Sequence, residues 1–269
     1  MSRSPSTAAI TVRISDGVAA VEIDNQSRRN SLTKAMCIQI AELMPKLDAD
    51  PAVVVVTLRG AGSTFSAGAA IDDLKAVLLD TAEDGGRLDH LSEADSAIAR
   101  VTKPTVALVD GSCMGGGWQL ASACDFIVAS ERSVFAITPA KLGVIYPRAG
   151  IERLVAQVGA ADAKYILFTG QTFTAERAQQ LGLISEAVPD ADFDARAEAL
   201  VDTLRSRSQF SIHALKHLVD LTVSEGDSTD RAWEEAWNEM SASPDMGIGV
   251  SAFLNREDPQ FSWRPEFNA

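Results

Sequence analysis

Two glycine-rich stretches carry the residues best suited to chemistry: residues 65–74, FSAGAAIDDL, and residues 110–125, DGSCMGGGWQLASACD. Each follows an apolar run of strand type and leads into residues of helical composition. Glycine lacks the Cβ that would hold a ligand away from the backbone. A helix that starts at such a turn directs its free N–H groups and positive dipole end outward. Gly115-Gly116-Gly117 supplies this before Trp118, and Ala67-Gly68-Ala69-Ala70 supplies it before Ile71. If the two strands are neighbours, one N–H from each converges on a single negatively charged oxygen, forming an oxyanion hole. Taken singly, either stretch also fits a tight strand-to-helix turn without a ligand. Neither has a phosphate-loop lysine or a complete dinucleotide fingerprint.

The elements that must position these turns are strands alternating with helices. Residues 10–14 and 18–23 alternate around Asp16-Gly17 and read as an opening hairpin. Residues 33–47 have helical spacing. Residues 52–58, 105–109 and 126–129 are β-branched or apolar runs of the kind buried on both faces of a parallel sheet. An acidic segment at 80–95, with Gly85-Gly86, reads as a mobile loop feeding a helix that ends near Arg100. From residue 160 the pattern turns helical, at 162–168, 175–181, 193–207, 212–223 and 230–240, interrupted by a strand at 183–188. The chain therefore divides into an α/β core over 1–189 and a helical region over 190–269.

The 269 residues are 46% apolar and 23% charged, enough to bury a core of this size. A net charge of −13 argues against nucleic acid as a partner, because no basic face is available for phosphates. Cys37, Cys113 and Cys124 stand among apolar or small residues without metal-ligand spacing and read as buried reduced thiols. His213 and His217 lie four apart with no third ligand, so no metal site is expected. The first ten residues lack a signal-peptide core, and no apolar run is long enough to span a membrane. The expectation is a soluble cytoplasmic protein.

The ordered motifs resemble the crotonase superfamily, the enoyl-CoA hydratase/isomerase family, over nearly the whole chain. The resemblance rests on residues 28–32 (RRNSL), FSAGAAIDDL, GSCMGGGWQLASACD, FAITPAKLG at 135–143, GIERLVAQVG at 150–159, Phe168-Thr169-Gly170 and residues 178–182. It implies a crotonase-like spiral of ββα units, with a C-terminal helical region that assembles the chain into a homotrimer or homohexamer. It also implies an acyl-CoA thioester as ligand, with CoA part of the substrate and no separate cofactor. The positions matching the two oxyanion donors are Ala69 and Gly116. Arg28 and the backbone of Ala67, Ala69 and Ile71 match the CoA-contacting positions. Losing one oxyanion donor typically costs about 3–4 kcal/mol of transition-state stabilisation.

The pattern departs from the family where protons are handled. Gln119 and Ala140 stand where the hydratases carry their two glutamates, and Ala70 stands where an aspartate is usual. Glutamine can orient water but cannot take its proton, and alanine can do neither. Asp72, Asp73, Glu83 and Asp84 read as a solvated acidic face, and Asp125 as a buttress of the fold. Tyr146, in KLGVIYPRAGIERL, is similar in place to a tyrosine of the methylmalonyl-CoA decarboxylase branch. FSAG, GS-x-x-GG and residues 252–261 (AFLNREDPQF) resemble that branch too, although it usually has a histidine at Ala69 and an acid at Gln119. Decarboxylation needs an oxyanion hole but no base, and two glutamates would repel a substrate carboxylate. Three readings follow: a family enzyme working through a thioester enolate, a decarboxylase or other C–C lyase that uses Tyr146, and a non-catalytic acyl-CoA-binding protein.

Overall fold

The computed structural model describes residues 8–82, 85–224 and 230–264. Asp16 and Gly17 both adopt left-handed dihedrals (φ 51° and 79°), the geometry of a type I′ hairpin turn. They join β1 (Ala9–Ser15) to β2 (Val18–Asp24), with Ser15 opposite Val18. The chain continues through α1 (Lys34–Ala49), β3 (Val55–Gly60), α2 (Leu74–Leu78), a short ribbon of β4 (Asp80–Thr81) and β5 (Arg87–Leu88), and α3 (His90–Ala99). Next come β6 (Thr105–Val109), β7 (Ser112–Met114), α4 (Gly116–Ala121), β8 (Phe126–Ser130), β9 (Val134–Ala136), α5 (Pro139–Leu142) and α6 (Arg148–Thr169). Then follow β10 (Phe173–Thr174), α7 (Ala175–Gln180), β11 (Glu186–Val188), α8 (Phe193–Ser206), α9 (Gln209–Ser224), α10 (Asp230–Ala242) and α11 (Asp245–Asn255).

The larger sheet has the order β1-β2-β3-β6-β8-β11, parallel from β2 onward. A smaller sheet has the order β10-β9-β7. Successive turns of chain visit the large sheet, then the small one, then a helix: β6, β7 and α4, followed by β8, β9 and α5. The turn before these runs from β3 to Ser66, which bridges Cys113 on β7 and so extends the small sheet by one residue. This is the expected spiral of ββα units.

Every residue of β6 is buried, as a strand covered on both faces requires. One face packs on α1, α3 and α4 through Met36, Ile40, Leu58, Ile98 and Leu120. The other gathers Val55, Val106 and Val128 beneath Phe193 and Val201 of α8. The first helix beyond residue 189 is therefore packed on the core sheet. Asp125 buttresses the fold as expected: its Oδ2 accepts from the Thr105 N–H at 2.7 Å and from Lys216 Nζ at 2.8 Å, tying α9 to β6.

Three expectations change. The segment 80–95 is not a loop up to Asp95: its two short strands pair, and α3 begins at His90 because Asp89 caps it, accepting from the Ser92 N–H at 3.1 Å. Glu83 and Asp84 lie outside the described residues. The helix expected from 162 begins at Arg148 and contains a break at Gly159 (φ 75°). A further helix, α11, forms in a stretch whose two glycines disguise it.

Candidate active site

The register of the small sheet brings the two glycine turns together. Ser66 donates its N–H to Ser112 O at 3.0 Å, and Met114 returns one to Ser66 O at 2.9 Å. The residues that follow each strand, 67–70 and 115–117, therefore emerge side by side. Gly68 and Gly115 both have positive φ (93° and 48°), a conformation other residues rarely adopt. A Cβ built on Gly116 would lie 3.0 Å from the Ala69 nitrogen, which measures how closely the turns approach.

Along residues 67–70 and 115–116 two N–H groups are left without an acceptor. Ala67 donates to Arg29 O at 2.9 Å, Gly68 to Ser66 Oγ at 3.1 Å, Ala70 to Leu32 O at 2.8 Å, and Gly115 to Ala136 O at 2.8 Å. Among the described residues nothing accepts from Ala69. Gly116 is the first residue of α4, a position with no intrahelical acceptor. Both border a cavity of about 230 Å³ whose walls include Ala67, Ile71, Leu91, Lys141 and Tyr146. Its mouth is apolar and exposed at Ile71 and Ile145. Lys141 and Tyr146 are the ionisable side chains that line it, and no described carboxylate does. A larger hollow of about 580 Å³ between α1 and α3 contains neither glycine turn.

Tyr146 is 8% exposed, and its hydroxyl donates to Gly115 O at 3.1 Å. Burial raises its pKa well above the ordinary tyrosine value, so it stays protonated at neutral pH. Of the expected site residues, Ala67, Ala69, Ile71, Gly116 and Tyr146 meet in this cavity. Four do not line it. Ala70 is buried, its N–H bound to Leu32 O. Ala140 is exposed, turned outward between Pro139 and Lys141, which do line the cavity. Arg28 forms a two-point ion pair with Asp72, at 2.8 and 2.7 Å, on the exposed surface beside Ile71. That pair holds the Asp72 carboxyl below its usual range, through the hydrogen bond first.

Gln119 is fully buried, and its position has a cause that the sequence reading missed. Its Nε2 donates to Asp95 Oδ1 at 2.8 Å, which draws the amide toward α3 and away from the cavity. Arg153 of α6 donates to the same oxygen. Asp95 Oδ2, Gln119 Oε1 and Arg153 Nε are buried without partners in this cluster. Burial raises the Asp95 pKa, with Arg153 opposing the shift. With its nitrogen donating to Asp95 Oδ1, the amide leaves Oε1 on the opposite side. There Gly150 provides clearance: a Cβ would stand 2.0 Å from Gln119 Oε1 and 2.6 Å from Tyr146 Cε1. The signal for Asp95 was present, since Leu91, Ala94, Asp95 and Ile98 form the buried face of α3 at helical spacing.

Other chemistry-bearing groups lie apart. Asp80 Oδ2 accepts from Lys34 Nζ at 2.5 Å and contacts His90 Nε2 at 2.9 Å, anchoring the β4–β5 ribbon to α1 and α3. Burial pushes the Cys37 and Cys124 thiols up to about 12, and Cys113 also rises well above its usual value. These are unpaired thiols, as the sequence suggests. Burial lowers His213 to about 4. Among the described residues no cluster could hold a metal ion, and no helix is long and apolar enough to cross a membrane.

Comparison with known proteins agrees with this architecture. The family model described as "Enoyl-CoA hydratase/isomerase" matches residues 13–264. "Probable enoyl-CoA hydratase echA8" of Mycobacterium leprae is 30% identical, over 92% of this chain and 95% of that protein. The 2,3-dehydroadipyl-CoA hydratase of Escherichia coli is 27% identical, over 92% of this chain and 96% of its own length. A solved structure of an enoyl-CoA hydratase/isomerase family member superposes with a TM-score of 0.95 at 62% identity, covering 98% of this chain and 100% of that one.

Proposed function

The chain belongs to the enoyl-CoA hydratase/isomerase family, and on that premise we propose that its cavity holds an acyl-CoA thioester by the carbonyl oxygen. The N–H groups of Ala69 and Gly116 are the donors, and they stabilise the oxygen as it becomes an enolate. One observation carries this: each glycine turn brings one unpaired main-chain N–H, of Ala69 and of Gly116, to the same cavity, and no described carboxylate lines it. Preorganised donors of this kind act where charge develops and need no reorganisation during the reaction. Arg28, beside the mouth, is the candidate contact for CoA phosphate. Apolar side chains exposed on α9, α10 and α11, among them Val219, Trp237 and Phe253, support assembly of copies into a trimer or hexamer.

A cavity lined by no described carboxylate favours reactions that reach the enolate without removing an α-proton. Loss of carbon dioxide from a carboxylated acyl thioester is one. The bond from the α-carbon to the carboxylate breaks, its electron pair enters the enolate, carbon dioxide departs and solvent returns a proton to carbon. Walls without a described carboxylate spare such a substrate the repulsion of a like charge. The test is a panel of crotonyl-CoA, a 3-enoyl-CoA and 2-methylmalonyl-CoA, assayed for turnover, with thioester binding measured in parallel. Carbon dioxide release without hydration is expected. Rapid crotonyl-CoA hydration would overturn the carboxylate-free mechanism, and tight binding with no turnover would leave a non-catalytic acyl-CoA-binding protein.

A further inference from the structure

We infer that Tyr146 is a positioning residue for the oxyanion hole, aiming and polarising the Gly115–Gly116 peptide rather than transferring a proton. The inference rests on the proposal that Gly116 donates to the thioester oxygen, and it assigns that donor its support. The carbonyl of Gly115 and the N–H of Gly116 belong to one peptide unit. The described chain has no cis peptide bond, so these groups point in opposite directions. A group that fixes the Gly115 carbonyl therefore fixes the Gly116 N–H.

Two donors grip that carbonyl. The Gln119 N–H reaches it at 3.0 Å as the first bond of α4, and the Tyr146 hydroxyl reaches it at 3.1 Å. Both lone pairs of the oxygen are thereby used. A hydrogen bond accepted at the carbonyl end draws electron density from the amide and makes its N–H a better donor, by roughly 10–30% per bond. The Tyr146 ring is itself held where it passes Gly150, whose missing side chain gives it room. Its hydroxyl proton is already engaged with the backbone, and burial makes the phenol harder to ionise. Both facts suit a fixed donor and disfavour an acid that must release its proton in each cycle.

The test uses 4-dimethylaminocinnamoyl-CoA, a push–pull thioester whose absorption moves to the red as its carbonyl is polarised. Its spectrum is recorded bound to wild type, to Tyr146→Phe and to protein carrying 3-fluorotyrosine at 146. The fluorinated phenol is a stronger hydrogen-bond donor of nearly the same size. Wild type is expected to shift the band to the red. Tyr146→Phe should lose roughly 10–30% of the share of that shift due to the Gly116 donor while binding the thioester nearly as well. The fluorinated protein should exceed wild type, an increase that damage to packing does not produce. A full wild-type shift in Tyr146→Phe would overturn the inference and leave the oxyanion hole standing. No shift in wild type would overturn the hole and the inference together. Turnover gives a second readout on any thioester that wild type consumes. Tyr146→Phe should lower kcat about fivefold, the worth of one ordinary hydrogen bond, with an unchanged pH profile. A loss of a hundredfold or more with disappearance of one pH limb, the range for general acid–base catalysis, would instead make Tyr146 a proton carrier.

Discussion

Replacing Gln119 by glutamate puts a second carboxyl where an amide now donates to Asp95 at 2.8 Å. Two carboxylates cannot share that separation unless one keeps a proton. Arg153 supplies one positive charge to the pair, enough to offset one carboxylate but not two. Both sites are enclosed, Gln119 at 0% and Asp95 at 1% exposure, so water offers little screening. Close carboxyl pairs split by about three pKa units, which corresponds to about 4 kcal/mol. The folded variant then holds a proton that its unfolded chain releases near pH 4.3. Its deficit relative to wild type is smallest at or below about pH 4 and grows by about 1.4 kcal/mol per pH unit up to about pH 7. Urea unfolding of variant and wild type, at intervals between about pH 5 and 8, measures the difference directly. A deficit that stays flat over that range would refute the placement of residue 119 against Asp95 in a closed pocket.

Three further outcomes are expected. Gly150→Ala forces a methyl group into Gln119 Oε1 and the Tyr146 ring, and should cost roughly 2–4 kcal/mol through overpacking and broken hydrogen bonds; thermal unfolding within about 1 °C of wild type would contradict this. Arg28→Ala removes an exposed ion pair and should leave unfolding unchanged, while weakening CoA thioesters more than their pantetheine counterparts in calorimetric titrations. With Cys37 and Cys124 titrating at about 12 and Cys113 also raised, iodoacetamide at pH 8 should leave the folded protein nearly unmodified and label all three thiols in urea, as read by mass spectrometry.

The backbone geometry of the candidate site was legible in the sequence because glycine types and strand patterns report directly on main-chain geometry. Residues 67–70 and 115–117 occupy the turns that their composition implies, and β3 and β6 pair as buried parallel strands. Side-chain direction was less legible. The position of Gln119 after GGG does not reveal that a partner on α3 turns its amide away from the cavity. Asp95 escaped notice because Gly85-Gly86 and the surrounding acids suggest a loop, while its helical face becomes clear only once Asp89 is seen to cap α3. Ala140 shows a different limit: adjacent residues of α5 face opposite ways, and spacing within four residues cannot say which faces in.

A crystal structure with a non-hydrolysable acyl-CoA analogue bound tests the oxyanion hole most directly. The expected result places the carbonyl oxygen about 2.7–3.2 Å from both the Ala69 and Gly116 nitrogens, with no carboxylate within about 3 Å of the α- or β-carbon, the reach of a proton carrier. A carbonyl bound away from either nitrogen, or an aspartate or glutamate brought against those carbons, would contradict it.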